Sequence, residues 1–466
     1  MFGQNIGIFS VVGAVFHQFT LFSLFAFSNL CPLLYEEKKS PNSEDSAVKF
    51  FLSPLQSIYM CIFCFFGGAV DRKLGTHFTV ILGCLSICLA DFFLIISKNF
   101  ALDFFFIIFY GIGFGISMTS AVGNACRYFP KNRGFINAIC GGIGGNLGSA
   151  LCNFMIGIYT NNKQYKNERV RHYHYLVFHI IYMIVGTILA VGFITTFKET
   201  NMDHPLTNES DSKTERLTNS LEVEETINDN SDIPITTQID NIGEQQVELK
   251  VILKHWRIYY ISLIFFCTFF VQGFIINVGF VFGMNEVENN VGLKKMSIIF
   301  TIMNVICCIT APIWGFIYDK LEFQKTLMLV NCLSMLNSFL MKFTSYNLIT
   351  YAFSIIFNGS LFTGSFIMIY PHVSKVFGFK YAGEMYGIVV LSTRIISSNA
   401  SFLLNFFGMI VNYSSYFIVF YIGSGLNLLG ILLAFYETDE KFLSLQKMIF
   451  YLTFNIRRYV KIKLYY

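Results

Sequence analysis

The sequence predicts an all-α integral membrane protein with twelve transmembrane helices in two six-helix bundles. Three observations predict this fold class. Hydrophobic residues make up 54% of the 466 positions and charged residues only 13%, whereas soluble domains usually carry about 25% charged residues. The apolar residues form blocks of about twenty or more, the length that crosses a hydrocarbon core of about 30 Å. A polar segment then separates six such blocks from six more.

This polar segment, residues 198–254, is acidic, rich in Asn, Ser and Thr, and nearly free of aromatic residues. It cannot bury enough apolar surface to fold alone, so we predict a disordered cytoplasmic linker. The predicted domains are an N-terminal six-helix bundle (1–197), this linker (198–254), a C-terminal six-helix bundle (255–440) and a basic, aromatic cytoplasmic tail (441–466). The predicted spans are 7–32, 50–70, 77–97, 101–127, 134–158, 173–197, 255–283, 296–318, 325–344, 348–374, 384–410 and 415–436.

The distribution of Lys and Arg predicts the orientation. With both termini in the cytoplasm, most basic residues of the short loops and of the tail lie on the inner side, as cytoplasmic loops prefer. The loop between the fifth and sixth spans, with Lys163 and Arg169, is an exception. We therefore predict a multi-pass protein of the plasma membrane or of an organellar membrane, with the linker and both ends inside.

Composition also argues against several function classes. The basic residues lie in loops and tail rather than in one patch, so no nucleic-acid partner is predicted. Pairs such as Cys61 and Cys64 fall inside apolar blocks, where a free cysteine behaves as a small hydrophobe. The sequence contains neither a nucleophile motif nor a phosphate-binding loop of the Gly-x-x-x-x-Gly-Lys-Ser/Thr type. We predict no enzyme activity, no metal site and no cofactor, and we expect a substrate or proton gradient to supply the energy.

A short motif occurs at equivalent places in the two predicted halves. Its first copy consists of Gly67, Asp71, Arg72 and Gly75, and its second of Gly315, Asp319 and Lys320. Glycine allows helices to approach closely, and we expect each aspartate and nearby cations to form a charged contact at the membrane edge, with Arg133 a candidate partner for Asp71. Two copies in matching positions indicate two halves that move against each other and close one face of the protein.

In these motifs the chain resembles the major facilitator superfamily, across all of its length except the linker. The resemblance implies two six-helix bundles, alternating access to a central site, and a small-molecule substrate. The second copy departs from the family pattern, since Glu322 and Phe323 stand where a glycine and a basic pair are usual.

A narrower resemblance is to the monocarboxylate and oxalate–formate exchanger branch. It rests on the loop from Arg127 to Gly134, which leads into a small-residue stretch at Gly141–Gly145, and on Ala311-Pro-Ile-Trp-Gly315. This branch usually carries a substrate-binding arginine immediately before that proline, where this chain has Ala311. The departure bears on the substrate rather than on the fold.

Arg394 is the strongest candidate for substrate binding. It lies about ten residues into the eleventh predicted span, near the midplane at about 1.5 Å per residue. A guanidinium at that depth costs at least about 2.5 kcal/mol, so it must face protein or water. Ser398 follows on roughly the same face, and the exchanger resemblance implies a basic substrate-binding residue in this helix. The alternative is a structural arginine paired with a carboxylate or with backbone carbonyls.

Other polar residues inside predicted spans are weaker candidates. Asp91 could pair with Arg394 or carry a coupled proton, or it could lie near the outer interface. The polar groups that could reach a central cavity are His17, Gln18, Asn146 and Gln272. Each of these four can equally be a satisfied hydrogen bond between helices.

The preferred functional hypothesis is secondary active symport or antiport of a small organic anion, similar to a monocarboxylate. The expected partners are this substrate, protons as a candidate coupling ion, and membrane lipids. The main alternative is transport of another small solute, such as an amino acid, a vitamin or a drug-like molecule. A membrane receptor without transport activity is a third, weaker alternative.

Overall fold

The computed structural model describes residues 2–27, 30–31, 34, 52–97, 100–161, 168–195, 249, 253, 256–287, 293–393 and 415–436. The described residues up to Thr195 and from Arg257 onward belong to one compact unit. Of the second unit, Thr196–Trp256, the structure describes the helical residues Leu249, Leu253 and Trp256.

The described chain is helical, and we number the helices in chain order. Before the second unit come α1 (Phe2–Leu21, continued by a 3-10 turn at Phe22–Ala26), α2 (Leu52–Leu74), α3 (Thr76–Ile96), α4 (Phe100–Phe106, Ile108–Ser117 and Ser120–Tyr128), α5 (Arg133–Asn137, a π-helix at Ala138–Gly144, and Gly145–Asn161) and α6 (Glu168–Phe193). The later helices are α7 (Trp256–Glu286), α8 and α9 (293–321 and 323–344 of the continuous stretch Leu293–Thr344), α10 (Leu348–Phe377), α11 (382–393) and α12 (Ser415–Phe435).

Equivalent sharp turns join α2 to α3 and α8 to α9. Gly75 has a φ of 83° and Glu322 a φ of 63°, both in the left-handed region. Glycine adopts this conformation without steric cost, whereas Glu322 does so with a side chain. We call the end of the molecule that carries these two turns, together with Asp71 and Asp319, the motif face.

The surface of α3 shows the environment in which the helix is stable. Ile81, Leu85, Leu89 and Phe92 are exposed at helical spacing, while Ile87, Ala90 and Leu94 are buried. A stripe of large apolar side chains on the outside is unfavourable in water but suits a hydrocarbon solvent. The outward face of α3 therefore fits contact with lipid.

Within the described residues, nine helices are long and apolar enough to cross a membrane by length and composition. One of them, Lys295–Thr344, has 50 residues and contains the turn at Glu322. At about 1.5 Å per residue it is long enough for two crossings, which correspond to α8 and α9.

Two central helices have irregular segments. Helix α4 is interrupted at Met118 and Thr119, and α5 is a π-helix over Ala138–Gly144. The π segment contains three glycines, which weaken the regular helix and let other backbones approach. Both irregular segments lie where the first-half helices face helices of the second half, with α5 packed along α8.

Candidate functional site

A small cavity lies between the two halves, next to both irregular segments. It is lined by Met118, Thr119, Val122, Asn137, Gly141, Phe366, Ile367, Tyr370 and Tyr386. These side chains come from α4 and α5 of the first half and from α10 and α11 of the second. The described lining is aromatic, apolar and neutral polar, so hydrogen bonds and ring contacts are the interactions that it offers.

Two lining residues connect the halves directly. The Asn137 amide donates to the carbonyl of Ile367 at 2.6 Å. Tyr370 reaches across to α4, where a Cβ added at Gly123 would lie 2.5 Å from the tyrosine hydroxyl. The cavity is therefore closed by cross-half contacts on α5 and α4.

His17 and Gln18 bind the interruption of α4. The His17 Nε2 atom lies 3.0 Å from the Ser117 carbonyl, and the Gln18 amide donates to the Met118 carbonyl at 2.9 Å. An interrupted helix leaves carbonyls that need donors inside a membrane, and these side chains supply them. They stand behind the cavity wall that Met118 forms, rather than in the described lining.

Gln272 and Asn146 also bind within the protein. Gln272 Oε1 accepts a hydrogen bond from the Ser365 hydroxyl at 3.0 Å, which joins α7 to α10. The Asn146 amide donates to the Gly142 carbonyl at 2.6 Å, within the irregular part of α5. In this conformation both side chains have structural partners.

At the second motif copy, Asp319 binds the start of α5 in the other half. Its carboxylate accepts from the backbone N–H groups of Gly134 at 3.1 Å and Phe135 at 2.9 Å. Free N–H groups and the positive end of the helix dipole favour an anion at that position. A Cβ at Gly134 would lie 2.6 Å from the Asp319 oxygen, so the contact needs glycine there.

At the first motif copy, the arginine rather than the aspartate crosses between the halves. Arg72 forms an ion pair with Glu384 in the first turn of α11 and donates to the Lys380 carbonyl at 3.1 Å. Glu384 is buried, with 1% of its side chain exposed. Asp71 stays within its own half, hydrogen-bonded to Thr76 and close to the positive charge of Arg127.

Two further motif residues, Arg133 and Lys320, lie on aromatic rings. The Arg133 guanidinium lies 4.1 Å from the ring centroid of Phe379 and donates to the Ser374 hydroxyl at 3.4 Å, so it also joins the two halves. Lys320 lies 4.4 Å from the ring of Phe316 on its own helix. Arg133 was the expected partner of Asp71, but Arg127 and Arg72 are the cations placed near that carboxylate.

Close backbone contacts complete the closure. A Cβ at Gly315 would lie 2.8 Å from the Gly134 carbonyl, and one at Gly383 would lie 2.8 Å from Cα of Gly68. Gly67 packs α2 against α4 within the first half, where its Cβ would lie 2.7 Å from the Gly115 carbonyl. The motif face is thus closed by the Arg72–Glu384 ion pair, by the hydrogen bonds of Asp319 and the contacts of Arg133, and by glycines that allow backbone-to-backbone packing.

Asp91 lies in the core of the first bundle, away from the cavity and the motif face. It is fully buried. One carboxylate oxygen lies 2.7 Å from Nδ1 of His179, and the other accepts from the Tyr110 hydroxyl. Within the described part of the chain, His179 is therefore the partner of Asp91 that can carry a positive charge.

Some expectations fall outside the described residues, and some functional candidates were missed. Arg394 and Ser398 lie outside the described residues. Sequence reasoning missed four residues. The structure brings Glu384 to the motif face and His179 to Asp91, while Asn137 and Tyr370 line the cavity. Glu384 did carry a signal, since it is a carboxylate at the first position of a predicted span.

Comparisons with known proteins agree with this architecture. A family model for the Major Facilitator Superfamily matches residues 16–401. None of the curated proteins matches the sequence. Among solved structures, the proton:xylose symporter XylE bound to 6-bromo-6-deoxy-D-glucose is similar with a TM-score of 0.61 and 14% identity, over 92% of this chain and 94% of that one.

A second solved structure, the human organic anion transporter MFSD10 (TETRAN), is similar with a TM-score of 0.60 and 13% identity, over 91% of this chain and 99% of that one. These similarities confirm the predicted twelve-helix, two-bundle fold, while the monocarboxylate branch stays a prediction. The family and the apolar helices identify a multi-pass membrane transporter rather than an enzyme. The chain belongs to the Major Facilitator Superfamily.

Proposed function

We propose that this transporter carries a small organic anion of the monocarboxylate type by secondary active transport. The observation that carries the proposal is Arg394, a fixed cation in the middle of a predicted apolar span. It directly follows Thr393, which ends the described part of α11 and is buried. Tyr386 lines the cavity from the same helix. An anion in a dehydrated site is a natural partner for a guanidinium at that depth.

The number of fixed positive charges at the site also bears on the charge of the anion. With Ala311 where relatives of the exchanger branch carry a second cation, the site would offer one fixed positive charge. One charge suits a singly charged carboxylate better than a dicarboxylate. Ala311 is fully buried against α5, where a Cβ at Gly142 would overlap its methyl group, so a long cationic side chain would not fit there in this conformation.

Alternating access is the proposed mechanism. The closed motif face and the cavity behind it correspond to a state that admits solute from the opposite side. Opening would require Arg72 to leave Glu384 and Asp319 to leave the start of α5, while helices of each half move together. Under the predicted orientation, the motif face is cytoplasmic.

Variants of Arg394 in liposomes test the anion assignment. Arg394→Gln should abolish uptake of radiolabelled lactate, pyruvate or formate, whereas Arg394→Lys should retain part of it, because lysine keeps the charge but loses the planar fork. Lys342→Gln is a matched control that removes a cation at the end of α9. Wild-type uptake in Arg394→Gln would reduce Arg394 to a structural residue.

A neutral solute is the second candidate, and the neutral lining of the described cavity favours it. The two similar structures are a sugar symporter and an organic anion transporter, so the fold is compatible with either substrate class. A wild-type protein that carries only neutral or cationic solutes from a panel that includes amino acids and vitamins would replace the anion proposal with this one.

A further inference from the structure

Four side chains from four helices form a continuous hydrogen-bonded chain in the first bundle. Tyr110 of α4 donates to Asp91 of α3, and Asp91 contacts Nδ1 of His179 on α6 at 2.7 Å. The other ring nitrogen of His179 lies 2.8 Å from the Ser23 hydroxyl in the 3-10 turn after α1. We call these four residues the Asp91 network. Ser23 also donates to the Thr20 carbonyl.

Within the described residues, aromatic rings and thiols surround the network. The Tyr175 and Tyr182 rings stack on either side of the His179 ring, with centroids at 5.9 and 6.3 Å. The other titratable groups that the structure describes around it are Cys31, which follows the 3-10 turn, Cys84 and Cys88 on α3, and Cys152 on α5, with Asp103 of α4 beside Cys31. Asp91 and His179 are thus the pair whose protonation sets the charge of this site.

The second bundle shows that the fold does not require charge here. In the first bundle, Asp91 joins α3 to both α4 and α6. The corresponding contact of α9 with α10 is made by Asn337 and Ser354, at 2.9 Å. The contact of α9 with α12 is made by Ser334 and Asn427, at 3.2 Å. Neutral amides and hydroxyls suffice there, so the costly ionisable pair in the first bundle calls for a functional reason.

The order carboxylate, imidazole, hydroxyl is also that of hydrolase triads. Hydrolysis would need a substrate carbonyl at the Ser23 oxygen. Ser23 is 1% exposed and its hydroxyl is bonded to its own helix. The arrangement therefore favours proton binding over nucleophilic attack.

The network is also connected to the cavity. Phe22, the neighbour of Ser23 in the 3-10 turn, contacts Phe366 of α10 edge-on with centroids 5.7 Å apart. Phe366 lines the cavity. A 3-10 stretch within a longer helix is a common position for a hinge, so a change at Ser23 can reach the cavity through Phe22.

We propose that the Asp91 network binds and releases one proton, and that its protonation changes the 3-10 turn of α1 and through it the cavity. The proposal rests on the proposed transport function and names its coupling ion. Asp91 lies five residues before Ile96, the end of α3 opposite the motif face, or about 7–8 Å along the helix. Protons therefore enter from the side of the membrane opposite the closed motif face.

The Asp91 network differs by one proton between its two states. Without the proton, neutral His179 donates from Nδ1 to the Asp91 carboxylate and accepts from Ser23 at Nε2, so the site carries one negative charge. When a proton from water binds at Nε2, the imidazolium donates to the Ser23 oxygen and the Ser23 hydroxyl turns to the Thr20 carbonyl. The site is then neutral overall. No bond between heavy atoms forms or breaks.

Infrared difference spectroscopy on the substrate-free full-length protein in liposomes tests the site directly. When the pH is changed, the wild type should show an imidazole–imidazolium difference band, in addition to those of its other histidines, that is missing from His179→Gln. The glutamine keeps a donor and an acceptor between Asp91 and Ser23, so the helix contacts survive. The matched control is His77→Gln on α3, where His77 contacts the Ile194 carbonyl at 2.9 Å outside the network. Superimposable spectra of wild type and His179→Gln would overturn the proposal.

Transport with radiolabelled lactate as the probe tests the coupling. His179→Gln and Ser23→Ala should lose lactate accumulation driven by a proton gradient but retain lactate counterflow at equal pH, and Ser23→Ala should keep the infrared signal. Gradient-driven accumulation at the wild-type level in His179→Gln would contradict the coupling. If the wild type carries none of lactate, pyruvate and formate, the anion assignment fails, while the infrared titration still decides whether His179 binds the proton.

Discussion

At the residue scale, the two motif copies use different groups to bind across the halves. Asp319 binds backbone N–H groups at the start of α5, whereas Arg72 pairs with Glu384. Sequence reasoning expected both aspartates to pair with cations. An aspartate facing a helix start already has its positive partner in the backbone, so Asp319 needs no cation. Asp71 lies close to Arg127 and Arg72 of its own half, and Arg72 makes the contact with Glu384 in the other half.

Reversing the charges of Arg72 and Glu384 tests this contact. Arg72→Glu and Glu384→Arg singly should favour the open motif face, because the buried Glu384 carboxylate loses its cation or Arg72 loses its carboxylate. Truncating one partner of a hydrogen-bonded charge pair costs about 2 kcal/mol or more when the pair is buried, so we expect a shift of up to about tenfold for this partly exposed pair. The double variant should restore most of the closed state. Opening is measured as the rate at which an impermeant maleimide modifies a cysteine at Thr119, in a Cys332→Ser background.

Lys73→Glu changes the charge of an exposed neighbour of Arg72 and serves as the control. Its modification rate should stay near that of the parent. If the double variant were modified as fast as either single variant, the two charges would not act as a pair.

How far the sequence predicts these residues depends on where their partners lie. Asp71, Arg72 and Asp319 stand out because the motif repeats. Glu384 begins a predicted span, and a carboxylate there is also typical of a helix end at the membrane surface. His179 shares its predicted span with His174, and only the packing of α6 against α3 brings His179 to Asp91. One sequence contains no signal for such pairings.

At the scale of elements, the hydropathy of the sequence predicted the helices but not their irregular segments. The predicted span 77–97 agrees with α3 at Thr76–Ile96, and 348–374 with α10 at Leu348–Phe377. The π segment of α5 and the interruption of α4 both lie inside predicted spans. Their stability depends on donors from other helices, such as Gln18 at the Met118 carbonyl. The hydropathy of a sequence window does not show which donors other helices supply.

Two adjacent glycines of the π segment test its contact with α8. A Cβ at Gly142 would overlap the Cβ of Ala311, whereas the nearest atom to a Cβ at Gly141 is 3.8 Å away. Gly142→Ala should therefore lower the melting temperature and favour the open motif face, and Gly141→Ala should change neither. Ala311→Gly should rescue Gly142→Ala. Equal behaviour of the two glycine variants in thermal unfolding would show that α5 and α8 do not require this approach.

At the scale of the whole molecule, the described parts of the two halves meet through a small set of polar contacts and several backbone approaches. Arg72 with Glu384, Asp319 with α5, and Arg133 on Phe379 lie at one end, and Asn137 with Ile367 lies beside the cavity. Such contacts can break without exposing a large apolar core. The repeated motif predicted two equivalent halves, and the family resemblance implied that these halves move. The substrate was less accessible, since it depends on how Arg394 and the neutral lining act together.

The central claim is that the motif face opens and closes during transport. Its most direct test is the distance between spin labels on cysteines at Lys73 and Lys375, exposed positions on either half, in a Cys332→Ser background in liposomes. We expect a short distance in the wild type and a second, longer one that grows in population in Arg72→Glu and on addition of a transported solute. A single distance that stays unchanged in the variant and with the solute would contradict the account.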